Sequence, residues 1–301
     1  MTSQAHTLPA VGGLRLPLSR SRMLMLFVGM NFLFLGADTF LAHWIDRTIK
    51  VYEWIPVLHG PIAGLLVLWF VVRPKPTAVE IVLYLLVLAS AVMVGLLGTA
   101  FHWERAYLAS GAVPEGSLGW LIFAPPVAGP LAFAGVALVG LMAALHEKPR
   151  DSGRLELWNL ATFTSPMTKT QQLVLLVGLG YAGAAVSAIL DHARSDFGNP
   201  TVWIAIASGV FATAVTLTAA FARRTSRGDQ LVYFWTQILM VGVGLLGLGM
   251  HLGVDLAGTG ELSLERLINH APVFAPLLYT NLGFLGLIAI LRPAAEEPAI
   301  H

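Results

Sequence analysis

The sequence predicts an all-α integral membrane protein of eight transmembrane helices with both termini on the cytoplasmic side. Three observations carry that reading. Of the 301 residues, 56% are hydrophobic and only 12% are charged, about half the charged share of a soluble globular chain. Eight windows meet the requirement of about 20 mainly apolar residues for a membrane-crossing helix, namely 23–45, 54–73, 78–103, 119–145, 170–192, 200–222, 230–252 and 268–291. Finally, basic residues alternate between connections. Arg15, Arg20 and Arg22 precede the first window, Arg73 and Lys75 follow the second, and Lys148, Arg150, Arg154 and Lys169 follow the fourth. Arg223, Arg224 and Arg227 follow the sixth, and Arg292 follows the eighth. The intervening connections carry fewer bases, offset by acids such as Asp46, Glu53, Glu104, Asp196 and Asp255. The positive-inside rule then gives the orientation, with a bacterial inner (plasma) membrane as the expected location.

Taken in order, residues 1–22 form a cytoplasmic N-terminal tail. Its three arginines resemble the charged region of a signal peptide, but the apolar run that follows exceeds the 7–15 residues of a cleavable segment. Residues 23–291 form the transmembrane domain, as helix pairs 23–73, 78–145, 170–222 and 230–291. Residues 292–301 form a cytoplasmic C-terminal tail. The second helix of a pair has a recurring proline pattern: Pro56-Val57-Leu58-His59-Gly60-Pro61, Pro125-Pro126-Val127-Ala128-Gly129-Pro130 and Ala271-Pro272-Val273-Phe274-Ala275-Pro276. Such similarity predicts an internal repeat, either of four parallel pairs or of two four-helix halves, around an axis along the membrane normal. Between the halves, Leu155-Glu156-Leu157-Trp158-Asn159-Leu160 mixes apolar and polar residues, which predicts a short helix lying on the membrane surface.

The first helices of the pairs end alike. Gly36, Gly95 and Gly244 each stand seven residues before a histidine, at His43, His102 and His251, and Ala185 stands seven before His192. Seven residues are nearly two turns, so each small residue shares a face with its histidine about 10 Å away. With His59 and His270 at the starts of the second and eighth windows, six of the nine histidines fall on the extracytoplasmic side. Carboxylates accompany them. Asp46 follows His43 at i+3 and Asp255 follows His251 at i+4, spacings that share a helical face. His192 lies between Asp191 and Asp196, and Asp38 lies deeper in the first window.

Cysteine is absent, which excludes disulfides, Cys-ligated zinc, iron–sulfur clusters and a thiol nucleophile. The net charge of +1 gives no nucleic-acid footprint. Imidazole with carboxylate suits an iron, copper or zinc ion, and two histidines on facing helices suit the axial positions of haem b. His43, His102, His251 and His270 are the expected cofactor ligands. A metal would draw on His43, His59, His102, His192, His251, His270, Asp38, Asp46 and Asp255. The function this implies is redox chemistry or electron transfer at a histidine-rich centre, including a metal- or haem-dependent oxidoreductase, within the lipid bilayer and with a redox partner or membrane subunit. A small-solute or metal-ion transporter with an outward polar vestibule is the alternative, and a membrane scaffold or assembly subunit is a third. The glycines have two readings, as a flat surface for a porphyrin or as sites of close helix packing.

Overall fold

Hydroxyl side chains placed just before apolar runs start four of the long helices. Ser19 accepts from the Arg22 amide at the head of α1 (Arg20–His43). Thr77 and Glu80 exchange side-chain and backbone bonds at the head of α3 (Ala78–Ala109). Thr168 with Gln171, and Ser226 with Asp229, do the same for α6 (Lys169–Ala193) and α8 (Arg227–Leu256). Each such cap satisfies an otherwise orphaned amide. The computed structural model describes residues 14–44, 48–73, 75–109, 119–123, 125–158, 160–222, 224–257 and 272–293. Helices make up 74% of it. The remaining ones are α2 (Trp54–Val72), α4 (Gly119–Phe123), α5 (Leu131–Ala144), α7 (Val202–Phe221) and α9 (Leu277–Ile290).

Six helices, α1, α2, α3, α6, α7 and α8, are long and apolar enough to cross a membrane. Their outward faces carry large apolar side chains, with Ile62, Leu65, Leu86, Val186 and Trp235 all more than half exposed. That surface suits lipid and not water, as an all-α membrane protein requires.

The fourth and eighth windows differ from the sequence expectation. They do not form full-length helices: α5 and α9 have 14 residues each, about 21 Å against a hydrocarbon core of about 30 Å. Proline is the reason. Pro126 and Pro130, and Pro272 and Pro276, lack the amide that a continuing helix needs, so residues 127–130 and 273–276 form turns and the helices begin only after Pro130 and Pro276. By contrast α2 runs unbroken through Pro61.

A second difference lies between the halves. The surface helix expected over Leu155–Leu160 is absent. A three-stranded antiparallel sheet of β2 (Leu145–Glu147), β3 (Arg154–Leu157) and β4 (Ala161–Thr164) stands there, once β1 (Arg15–Leu16) has been passed in the chain. The alternation Leu155-Glu156-Leu157 has the period of a strand, and Gly153, at φ 73°, supplies the left-handed residue that leads into it. Leu155 faces Phe163, and His146 faces Glu156. Trp158, after β3, is buried against Phe70 and Tyr84. A short β5 (Arg292–Pro293) pairs in parallel with β1, tying the two ends of the described chain together.

The helices pack as two squares. In one, α1 and α3 each touch α2 and α5; in the other, α6 and α8 each touch α7 and α9. The squares join where α1 meets α9 and α5 meets α6. One contact has a counterpart in each. The Tyr84 hydroxyl donates to the Gly140 carbonyl at 2.8 Å, and the Tyr233 hydroxyl to the Gly286 carbonyl at 3.4 Å. At the seam the squares exchange cations. Arg20 on α1 donates to the Leu291 carbonyl after α9 at 3.1 Å and to Thr170 Oγ1 at 3.3 Å. Lys169 on α6 donates to the Leu145 carbonyl after α5 at 2.5 Å and to Ser21 Oγ at 3.5 Å. Each cation thus sits at the negative end of a half-length helix in the other square, where its charge is stabilised.

Candidate functional site

The histidine end of the bundle, opposite the capped helix starts, is built by close glycine packing two turns below it. A Cβ on Gly60 of α2 would lie 2.6 Å from the Gly36 Cα and from the Phe32 carbonyl oxygen, so α1 and α2 touch backbone to backbone. A Cβ on Gly98 would lie 2.7 Å from Pro130 Cβ, and one on Gly247 would lie 2.7 Å from Pro276 Cβ. Likewise Gly95 lies under the Pro130 carbonyl and Gly244 under the Pro276 carbonyl. Helices therefore occupy the glycine faces, which serve packing and not a porphyrin surface.

Above that level the first helices bring their histidines together in pairs. The ring centroids of His43 and His102 are 6.1 Å apart, and those of His192 and His251 are 6.4 Å apart. In each square the two donors, α1 and α3 or α6 and α8, stand at opposite corners, so each pair reaches across the bundle. All four rings are partly exposed.

The backbone fixes three of these rings. His102 Nδ1 lies 2.9 Å from the Pro126 carbonyl oxygen, and His251 Nδ1 lies 2.9 Å from the Pro272 carbonyl oxygen. His43 Nδ1 lies 2.8 Å from the Thr39 carbonyl oxygen. A carbonyl can only accept, so in all three Nδ1 carries the proton and Nε2 presents its lone pair. For His102 and His251 the acceptor stands just before a half-length helix, where proline has broken the helical ladder. The broken helix and the oriented histidine are thus one device.

The other expected ligands are dispersed. His59 does not join a pair: its Nε2 lies 3.2 Å from Ser90 Oγ, and its ring stacks on Phe32 and approaches Phe133. Asp38 lies in electrostatic reach of His43. Asp255 is fully buried, although the His251 ring four residues earlier is partly exposed. Asp46 and His270 lie outside the described residues. Among the described residues, no three or more His, Asp or Glu side chains converge as a metal-binding group. Among the described residues, four of the expected histidines stand as two pairs.

Asp191, which sequence spacing did not single out as a ligand, lies in reach of both His192 and His251 and accepts from Ser187 Oγ at 3.4 Å. Arg194, 4.0 Å from Asp191, donates from Nε to the Ile122 carbonyl of α4 at 2.7 Å, so α4 lies beside the second pair. Asp191 adjoins a histidine in sequence, but i+1 neighbours diverge on a helix, so spacing alone does not mark it as a partner of His192. Compared with known protein families, curated proteins and solved structures, the chain matches none.

Proposed function

We propose that the chain is an eight-span membrane protein made of two repeated four-helix units, and that each unit holds a haem or a redox-active metal ion between its two histidines. Both termini are cytoplasmic in this reading, supported by the distribution of basic residues, and the histidine pairs lie near the extracytoplasmic face of a bacterial inner membrane. The function is electron transfer or membrane oxidoreductase chemistry, in exchange with a redox partner or membrane subunit.

The observation that carries the proposal is the state of the rings. A metal-ligating histidine nearly always gives its other ring N–H to a carbonyl or carboxylate, as His43, His102 and His251 do. The two rings of each pair would hold one ion through a nitrogen each, which needs their centroids to lie within about 6 Å of one another. The separations of 6.1 and 6.4 Å agree. With two protein nitrogens at each site, the bound group must bring its remaining ligands. Haem does so through its porphyrin nitrogens, and copper manages with few. Structural zinc, which takes four protein ligands, and catalytic zinc, which takes three, fit less well.

Elemental analysis and an ultraviolet–visible spectrum of the detergent-purified protein test this. The expected result is iron with a Soret band, or copper, at up to two equivalents per chain. Iron, copper and haem all indistinguishable from zero would overturn it. The half-length helices α5 and α9 support a second reading, since discontinuous helices commonly frame the substrate site of transporters. Uptake of a metal ion or small solute by proteoliposomes, with no bound cofactor, would favour that reading.

A further inference from the structure

The two squares bury different chemistry at corresponding positions. When Tyr84 is set against Tyr233, His102 against His251 and Pro130 against Pro276, Tyr181 stands where the first square has Phe32, and Gln237 stands where it has Leu88. Tyr279 likewise replaces Phe133, and Thr216 replaces Val67. All eight side chains are buried. The first square holds the same helices together with apolar residues alone at these positions, so the polar set of the second is not needed for helix association.

That set forms a column. At the capped end, Thr170, Gln171, Thr225, Asp229, Gln230 and Tyr233 line a cavity of about 40 Å³, enough for at least one water. Tyr233 leads from it to Gln237, one turn along α8, whose Nε2 donates to the Tyr233 carbonyl at 3.4 Å. Gln237 Oε1 in turn accepts from the Tyr181 hydroxyl at 2.9 Å. The Tyr181 hydroxyl is in electrostatic reach of both Tyr233 and Tyr279, and the Tyr181 and Tyr279 rings are 6.3 Å apart. The Tyr279 hydroxyl and Thr216 Oγ1 are buried without a hydrogen-bond partner among the described residues. The Tyr279 hydroxyl abuts Gly209, which faces Ala185, two turns below His192. Beyond Ala185 on α6, Ser187 bonds to Asp191 beside the second histidine pair, on a different face of the helix from Ala185.

We infer that the second square carries a proton path from the capped, basic end of the membrane domain to the His192–His251 pair, and that the first square does not. A proton enters from water in the cavity. For this each tyrosine hydroxyl turns from its resting acceptor, the Gly286 carbonyl for Tyr233 and Gln237 Oε1 for Tyr181, gives its proton to intervening water and takes another in its place, so that one proton emerges at the far end. No electron moves and no bond other than O–H is made or broken. Gln237 positions Tyr181 and does not itself exchange. An unpartnered buried hydroxyl is destabilising in a packed protein, and its presence here where the first square has phenylalanine or valine points to a role other than packing. The inference rests on the proposed repeat for matching positions and on the proposed centre only for its end point.

The test uses the full chain in phosphatidylcholine–phosphatidylglycerol vesicles with a trapped pH-sensitive dye and a valinomycin–potassium diffusion potential. Wild-type vesicles should conduct protons above the protein-free level. Tyr279→Phe should lower that flux about tenfold, as expected when one relay step is interrupted. The triple variant Tyr181→Phe, Gln237→Leu, Tyr279→Phe gives the second square the residues of the first at three of the four positions, and should abolish the flux. Tyr84→Phe, outside the column, should leave it unchanged. Wild-type flux at the protein-free level, or a Tyr279→Phe variant that conducts like wild type, overturns the inference. Metal and haem content, measured on the same preparations, separates the two readings: protein that holds a cofactor but conducts no protons refutes the path alone. Protein that conducts without cofactor refutes the centre alone.

Discussion

His102 donates its Nδ1 proton to the carbonyl of Pro126 at 2.9 Å, and the same bond joins His251 to Pro272 in the other square. A proline that breaks a membrane helix frees a carbonyl, which must find a donor inside the protein. Here the carbonyl accepts from the amide three residues on, that of Gly129 or Ala275, and also from a histidine of the neighbouring helix, whose ring is thereby turned so that Nε2 is the available nitrogen.

Because the histidines form two pairs, their loss should be additive. His102→Ala should remove about half of the bound metal or haem and leave the His192–His251 pair loaded, and His251→Ala should do the converse, as expected for well-separated sites. The double variant should bind almost none. Elemental analysis and absorbance of the three variants check this, and complete loss in either single variant would mean that the pairs act as one centre.

Glycine positions that look alike in sequence should respond differently to alanine. In Gly60→Ala the new Cβ meets backbone, the Gly36 Cα and the Phe32 carbonyl oxygen, each at 2.6 Å, and backbone cannot rotate away. A cost of about 1–3 kcal/mol follows from overpacking. A Cβ on Gly242 meets nothing within 4 Å, so Gly242→Ala should stabilise α8 by up to about 1 kcal/mol through helix propensity. Thermal unfolding in detergent should place the two variants on opposite sides of wild type.

The positions of the long helices were legible because a membrane helix is a one-dimensional signal of about 20 apolar residues. The broken windows were not, since apolar composition continues through Pro126, Pro130, Pro272 and Pro276 while the backbone does not. Pro61 shows why proline alone does not decide, because α2 tolerates it. At the site, spacing placed the paired histidines toward the ends of their helices, although α3 continues past His102 to Ala109. It could not say that His43 would reach His102 and His192 would reach His251, because that depends on which helices occupy opposite corners of a square. His59 sits in the same recurrent motif yet packs among phenylalanines, and its sequence neighbours give no hint of that.

Trp158 follows the strand that replaces the expected surface helix, and it anchors the sheet to the bundle. Its ring centroid lies 5.1 Å from that of Tyr84 in an edge-on contact and 6.0 Å from that of Phe70. Trp158→Ala should cost about 3–5 kcal/mol, the range for emptying a buried aromatic site. Limited proteolysis should then cut between Lys148 and Thr164, a segment held against the helices in the native protein.

The seam between the squares gives the sharpest contrast between two lysines close together in sequence. Lys169 is only 5% exposed and donates to the Leu145 carbonyl at the end of α5, whereas Lys148 is an exposed partner of Glu156 at 3.5 Å. Lys169→Met keeps most of the volume but leaves a buried carbonyl without its charged donor, which should cost about 1–3 kcal/mol. Lys148→Met loses an exposed ion pair worth about 0–1 kcal/mol. Arg20 performs the reciprocal task for the Leu291 carbonyl, and the two cations hold the same seam. Lys169→Met combined with Arg20→Met should therefore loosen the junction of the squares before either square melts. Unfolding by circular dichroism should become two-step in the double variant. A single cooperative transition, unshifted from wild type, would show that the squares are joined by helix packing alone.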